Sequence, residues 1–190
     1  MIKVLCKSIV IILLIGVAEN GLQAQSKFIG VKNCIQCHKS EKSGNQHEIW
    51  KNSKHSQAYA SLANADSAHI AWTVKTYNKR PWEVRECLQC HATAYDVDAS
   101  LLGKDYDVKD GVQCESCHGA GSEYKSMAIM KDKPKAVAAG LQDFKAADSM
   151  EKLCGKCHSA EGPICKSDGF VAKTEWEKIK HNRSQSLQKN

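Results

Sequence analysis

Four short segments of this 190-residue chain repeat one pattern, in which two cysteines are separated by two residues and followed at once by histidine. The cysteines of the four motifs are Cys34, Cys37, Cys87, Cys90, Cys114, Cys117, Cys154 and Cys157. The histidines that complete them are His38, His91, His118 and His158. Any fold of this chain has to position these eight thiols and four imidazoles so that the groups of each motif can take part in the same chemistry.

C-x-x-C-H is the pattern of c-type haem attachment, in which two thiols form thioether bonds with the haem vinyl groups and the adjacent imidazole binds the iron. Zinc ribbons also use C-x-x-C pairs, but a zinc ribbon leaves the four histidines unexplained, and so does a disulfide framework. With 8 histidines in 190 residues, four chance placements have a probability on the order of one in 10⁵ to 10⁶. The sequence therefore predicts four covalently bound haem c groups (Fe).

The first 24 residues have the composition of a signal peptide. Lys3 and Lys7 precede an apolar run at residues 9–18, and Leu22-Gln23-Ala24 offers a small-residue cleavage site. The apolar run is too short to span a bilayer, and a retained N-terminal anchor is the alternative. We predict a cleaved signal peptide, export to the periplasm or another oxidising compartment, and no membrane span after cleavage.

Residues 25–190, which remain after the signal peptide, are few for a polypeptide that binds four haems. Roughly 40 residues per haem cannot enclose each group in an ordinary core, and aromatic residues make up only 6% of the chain. We predict a single tetrahaem cytochrome c domain that is mainly α, with short helices and long irregular segments packed around the four haems and little or no sheet.

The basic composition does not indicate binding to nucleic acid. Loss of Lys3, Lys7 and Glu19 with the signal peptide lowers the formal charge from +6 by one unit. Four haems add about eight propionate charges, offset by about four positive charges when every iron is ferric. The oxidised holoprotein is therefore expected to be nearly neutral, with its lysines on a solvated surface.

Four further histidines are available to bind the far side of the irons: His47, His55, His69 and His181. One spare histidine per motif suggests bis-histidine ligation throughout, although a single histidine is more often a surface or core residue than a ligand. His47 would have to serve a different iron from His55 or none, because it lies eight residues earlier in the sequence. The role of His69 is open.

Helical context distinguishes His55 and His181 from the other two. In a helix predicted over residues 48–62, His55 shares a face with apolar residues at the i+3, i+4 and i+7 positions. Thr174 and Glu177 fit a capping box for a short helix that ends near His181. Both histidines are therefore candidate distal ligands.

Two segments resemble the tetrahaem cytochrome c-554 family. Residues 111–121 (GVQCESCHGAG) are similar to that family's third haem motif with its trailing glycines, and residues 50–58 (WKNSKHSQA) are similar to the helix that follows its first haem. The resemblance covers most of the chain after the signal peptide. It implies a distal-ligand role for His55 and, through a similar C-terminal helix, for His181.

The same resemblance implies that the haem on Cys87, Cys90 and His91 is five-coordinate. The family's type member has a distal histidine shortly after its third motif, but residues 122–130 of this chain contain none. A methionine is the candidate replacement. An Ile-Met-Lys-Asp segment in related sequences favours Met130 over Met127, and the alternative is that both methionines only fill the core.

Closely packed haems in a small exported protein form a one-electron relay, and nothing in the sequence resembles a nucleotide-binding loop or a hydrolytic triad. We predict an electron carrier, rather than an enzyme, that works between a redox protein donor and a redox protein acceptor. The resemblance suggests an oxidoreductase of nitrogen metabolism, such as hydroxylamine oxidoreductase, as a partner.

Two other functions stay open. An open-site haem could reduce nitric oxide or a similar small molecule, and self-associated subunits could continue the haem chain in a filament. Cys165 is the remaining cysteine after the signal peptide, and it is a capped thiol, a haem neighbour or half of an intermolecular disulfide.

Overall fold

The structure, a computed structural model, describes residues 25–144, 149–159 and 169–181. The predicted signal peptide and Cys165 lie outside the described residues. The α-helices within these ranges are α1 (Val31–His38), α2 (Gln46–Lys51), α3 (Ala58–Ala63), α4 (Ser67–Tyr77), α5 (Arg85–His91), α6 (Cys114–His118), α7 (Met127–Met130), α8 (Lys133–Ala138), α9 (Ser149–Cys154) and α10 (Ala172–Ile179). Single 3₁₀ turns lie at Glu41–Ser43, Pro81–Glu83, Ala99–Leu101 and Val108–Asp110.

Extended pairing in the described ranges is confined to one isolated parallel bridge between Phe28 and Leu102. The Phe28 N–H donates to the Leu101 carbonyl at 2.9 Å, and the Gly103 N–H donates to the Phe28 carbonyl at 2.7 Å. The predicted mainly α class, with short helices and little or no sheet, is confirmed. No helix among the described residues is long and apolar enough to cross a membrane.

The haem motifs lie at the ends of helices. The motif histidines His38, His91 and His118 are the last residues of α1, α5 and α6. Positions i, i+3 and i+4 share one face of a helix, so both cysteines and the histidine of each motif are directed to the same side. The fourth motif begins at the end of α9 and continues as turns, where the His158 N–H donates to the Cys154 carbonyl at 2.8 Å.

The single helix predicted over residues 48–62 is wrong. Two helices, α2 and α3, are separated by turns that contain His55. The Ser56 hydroxyl donates to the carbonyls of Lys51 at 2.8 Å and Ser53 at 2.9 Å. Such side-chain bonds give the backbone an alternative to helical hydrogen bonding. His55 therefore projects from a turn between two helices rather than from a helix face.

The capping box predicted for the C-terminal helix is also wrong. Helix α10 begins two residues before Thr174, and its N-cap Val171 makes no side-chain cap bond. Extended backbone at Val171 starts the helix early, and the Thr174 N–H donates to the Val171 carbonyl at 3.0 Å. Thr174 and Glu177 consequently lie inside the helix. The helix ends at Ile179, close to His181 as expected.

The buried apolar set in the described residues is small. Its members are Ile29, Val31, Leu62, Val84, Cys87, Ala92, Tyr124 and Ala136. The cluster formed by Leu62, Val84 and Cys87 joins α3 to α5, with Tyr77, Trp82 and Leu88 packed around it. A motif cysteine is thus part of the polypeptide core.

Polar contacts hold the end of the second motif against the start of the third. The buried Thr93 donates its N–H to the Gly111 carbonyl at 3.0 Å, and its hydroxyl accepts from the Gln113 N–H at 2.7 Å. The same hydroxyl lies 2.6 Å from the Ser116 hydroxyl. These bonds fix the position of α6 relative to α5.

Candidate haem sites

All eight motif cysteines are present as thiols rather than disulfides. Within the described ranges, no group of three or more His, Cys, Asp or Glu side chains is arranged to hold a metal ion directly. Neither a disulfide framework nor a zinc ribbon therefore has support among the residues that the structure describes.

The first and third motifs are direct neighbours. The thiols of Cys34 and Cys114 share a hydrogen bond. This bond, followed by burial, raises the pKa of the Cys34 thiol, and the same bond lowers the pKa of Cys114. Thiols in contact place the two attachment sites side by side.

The fourth motif lies near both the third and the second. Burial, followed by the nearby Cys90, raises the pKa of Cys157 to about 12. The Cys157 thiol also donates to the Gln89 carbonyl at 3.7 Å. Burial, followed by Cys154, raises the pKa of Cys117 to about 11. The motifs are therefore neighbours in the order first, third, fourth and second.

Two pairs of histidine rings face each other at similar distances. The ring centroids of His55 and His158 are 6.0 Å apart, and those of His118 and His181 are 5.8 Å apart. A metal binds an imidazole nitrogen at about 2 Å, so two imidazoles on opposite sides of one iron have centroids about 6 Å apart. Each pair consequently fits one haem iron.

Burial lowers the pKa of all four paired histidines, which favours the neutral form. Burial, followed by the nearby His181 and His38, lowers the pKa of His118 to about 4. Burial and then His158 lower the pKa of His55. Burial also lowers the pKa of His158, and burial followed by His38 lowers that of His181. A neutral imidazole has the nitrogen lone pair that a metal requires.

The turn that carries His55 is fixed by the segment that leads into the third motif. The Val112 N–H donates to the His55 carbonyl at 3.0 Å, and the Trp50 indole N–H donates to the Val112 carbonyl at 2.8 Å. Gly111 has a φ of +72°, and a Cβ added there would lie 2.7 Å from the His55 carbonyl oxygen. Glycine is thus required for both the backbone conformation and the close approach.

Replacing Gly111 with alanine should destabilise the protein by about 3 kcal/mol, because left-handed strain and a backbone clash add together. Gly169→Ala is the matched control. Its φ is +76°, but nothing lies within 4 Å of the added Cβ, so strain alone should cost about 1–2 kcal/mol. Thermal unfolding followed by circular dichroism measures both. Equal losses in the two variants would show that the approach to His55 contributes nothing.

The second-motif histidine is oriented by α3. The His91 Nδ1 lies 2.8 Å from the Ala58 carbonyl oxygen and 3.2 Å from the Ser61 hydroxyl. A carbonyl oxygen only accepts hydrogen bonds, so Nδ1 carries the proton and Nε2 keeps its lone pair for a metal. Among the ring contacts of the described residues, none joins His91 to a second histidine.

The other two spare histidines contact tryptophans. The His47 ring lies 5.9 Å from the Trp50 ring, and the His69 ring lies 5.9 Å from the Trp72 ring. In the part of the chain that the structure describes, neither histidine has a ring contact with a motif histidine. The structure thus separates these two from His55 and His181.

The first three motifs fall within a region that matches a known family. The family model described as cytochrome c554 and c-prime matches residues 33–119. Cytochrome c-554 of Nitrosomonas europaea is 25% identical over 169 residues, which cover 83% of this chain and 68% of that protein. Over this region the chain is similar to the cytochrome c-554 family. No solved structure matches it significantly.

These similarities confirm the resemblance seen in the sequence. Both matches are to c-type cytochromes, the class of protein that carries electrons on covalently bound haem c. The attachment chemistry inferred from the C-x-x-C-H spacing and the similarity to this family therefore agree.

Two aromatic contacts to the motif histidines were not expected from the sequence. Phe170 stacks on His158 with ring centroids 4.3 Å apart and ring planes 7° from parallel. Phe144 meets His118 edge-on at 5.8 Å. Neither phenylalanine lies within a motif, so no local pattern could have identified it. Both restrict the orientation of an imidazole.

The candidate methionines lie at opposite ends of α7. Met127 is 64% exposed, whereas Met130 is half-buried. Burial favours Met130 of the two, and its role as a ligand stays a prediction.

Proposed function

We propose that this protein is an exported tetrahaem c-type cytochrome that passes single electrons between a redox protein donor and a redox protein acceptor. The observation that carries the proposal is the spatial order of the four motifs. Each attachment site lies next to at least one other attachment site, in the order first, third, fourth and second. Export rests on the predicted signal peptide. Four haems rest on the four motifs.

Each haem, when bound, supplies one-electron chemistry through ferric and ferrous iron. The chain's part is to attach, orient and space the groups. The motif thiols would hold the haems covalently, and each motif histidine would supply one nitrogen to its iron. One electron taken from the donor is balanced by one electron given to the acceptor, and no bond in the polypeptide is made or broken.

The proposed axial pair for the haem on the fourth motif is His158 with His55. The proposed pair for the haem on the third motif is His118 with His181. Their ring spacings of 6.0 Å and 5.8 Å support both pairs. The turn that carries His55 is held by Val112 and Trp50, which lie outside the fourth motif, so its position does not depend on the iron alone.

The other two haems have different proposed environments. Met130 is assigned to the haem on the first motif by elimination, since His55 and His181 are paired with the fourth and third motifs. Its lower exposure favours it over Met127 as the methionine involved. His91 of the second motif has an open distal side. The support is that no second histidine ring contacts it among the described residues.

The purified protein should carry four covalently bound haems. Denaturing electrophoresis should retain haem staining, and the intact mass should exceed that of the processed polypeptide by four haems. Replacing Cys87 and Cys90 with serine should remove one haem, whereas Cys165→Ser should leave all four. A mass excess of any other number of haems in the unaltered protein would contradict the proposal.

A reductase of nitric oxide or a similar small molecule is the second candidate function. It is favoured by one observation, the second-motif histidine held by α3 without a histidine opposite it among the described residues. Turnover with a chemical electron donor separates this enzyme from a pure carrier. Binding of the small molecule without turnover would leave the carrier function alone.

A further inference from the structure

Glu115 lies between the two cysteines of the third motif, and only 2% of it is exposed. Its carboxylate accepts three backbone hydrogen bonds of 2.8 Å each, from the N–H groups of Ile29 and Gly121 to Oε1 and from that of Gly30 to Oε2. Both oxygens act only as acceptors, which is the pattern of an ionised carboxylate. None of the ion pairs among the described residues includes Glu115.

The charge of Glu115 reaches groups on both the first and the third motif. Burial, followed by Glu115, raises the pKa of Tyr106 to about 12, and the same two causes raise the pKa of Tyr124. Glu115 also adds to the raised pKa of the Cys34 thiol, after the hydrogen bond with Cys114 and burial. Cys34 and Cys114 are the attachment residues of two different haems.

A fixed negative charge acts differently on the two oxidation states of a neighbouring haem. The ferric form carries one more positive charge than the ferrous form, so a nearby carboxylate stabilises the ferric form. Burial removes the water and salt that would screen the interaction. The corresponding position in the other motifs is Ile35, Leu88 or Gly155, none of which is charged.

We propose that the buried charge of Glu115 lowers the reduction potentials of the haems on the first and third motifs. The Glu115 side chain also anchors the N-terminal segment at Ile29 and Gly30 to α6. This anchoring fixes the distance between the carboxylate and the two attachment sites. This inference rests on the proposed tetrahaem function.

The test compares Glu115→Gln with Glu151→Gln in the holoprotein by potentiometric titration followed in the visible spectrum. Glu115→Gln keeps the shape of the side chain and removes its charge. Two of the four midpoint potentials should therefore rise. The expected change in the ferric/ferrous equilibrium is about tenfold, which corresponds to 59 mV for one electron. Glu151 is an exposed carboxylate whose charge acts on Cys154. Solvent screens it, so its removal should change the equilibrium less than about twofold.

A second variant separates charge from shape. Glu115→Asp shortens the side chain but keeps the charge, and its potentials should stay near those of the unaltered protein. If Glu115→Gln does not fold, potentials raised in Glu115→Asp would overturn the proposal. Four haems with unchanged potentials in Glu115→Gln would overturn the role of Glu115 alone, whereas a different haem count in the unaltered protein would overturn the tetrahaem function itself.

Discussion

Alanine in place of His55 should convert one haem of the oxidised protein from low spin to high spin. The His55 ring lies opposite the His158 ring at 6.0 Å, and its removal takes away one of the two nitrogen donors proposed for that iron. An iron with one axial imidazole has a weaker ligand field, which favours the high-spin state. Low-temperature electron paramagnetic resonance counts the two kinds of iron directly.

His47→Ala is the matched control for this change, because the His47 ring contacts Trp50 rather than a motif histidine. Its spectrum should equal that of the unaltered protein. His181→Ala should convert a different haem, and the double variant of His55 and His181 should convert two, because sites with no shared partner act additively. An unchanged spectrum in His55→Ala would remove the main support for the ligand assignment.

The motif chemistry could be predicted from the sequence because it is local. Two cysteines and a histidine at i, i+3 and i+4 lie on one face of any helical turn, and the chain places three of the four motifs at the ends of helices. The mainly α class was also predicted from the motifs. A chain with few aromatic residues and four attachment motifs was expected to pack short helices around the haems rather than to form a sheet.

The pairing of distant histidines could not be predicted in the same way. It depends on contacts between segments far apart in sequence, such as the Gly111 backbone against the His55 carbonyl. The apolar spacing predicted one continuous helix through His55, but the chain forms turns there. The Ser56 hydroxyl donates to backbone carbonyls, and these bonds compete with helical hydrogen bonding. Spacing detects a helix face, but it does not detect this competition.

Glu115 shows the same limit within a motif. The sequence places a charged residue between two cysteines, but its three N–H donors come from two other segments, at residues 29–30 and 121. A buried, ionised carboxylate can be recognised only when those donors are known. The family resemblance located the distal histidine candidates, and the fold supplied the residues that face them.

The haem attached to Cys87, Cys90 and His91 should bind carbon monoxide in the reduced protein without first losing a ligand. If His55, His181 and Met130 serve the other three irons, only His47 and His69 remain, and both have tryptophan as their ring contact. The hydrogen bond from His91 Nδ1 to the Ala58 carbonyl holds the proximal imidazole in place while the other side binds the small molecule.

The spectral change on adding carbon monoxide should involve about one quarter of the total haem, since one iron in four is open. His55→Ala should raise that fraction to about one half, because it opens a second iron, and His47→Ala should leave it at about one quarter. Four low-spin irons and no carbon monoxide complex in the unaltered protein would make His69 or His47 a ligand. Whichever of His69→Ala and His47→Ala then creates an open site would identify that ligand, and the reductase function would lose its only candidate iron.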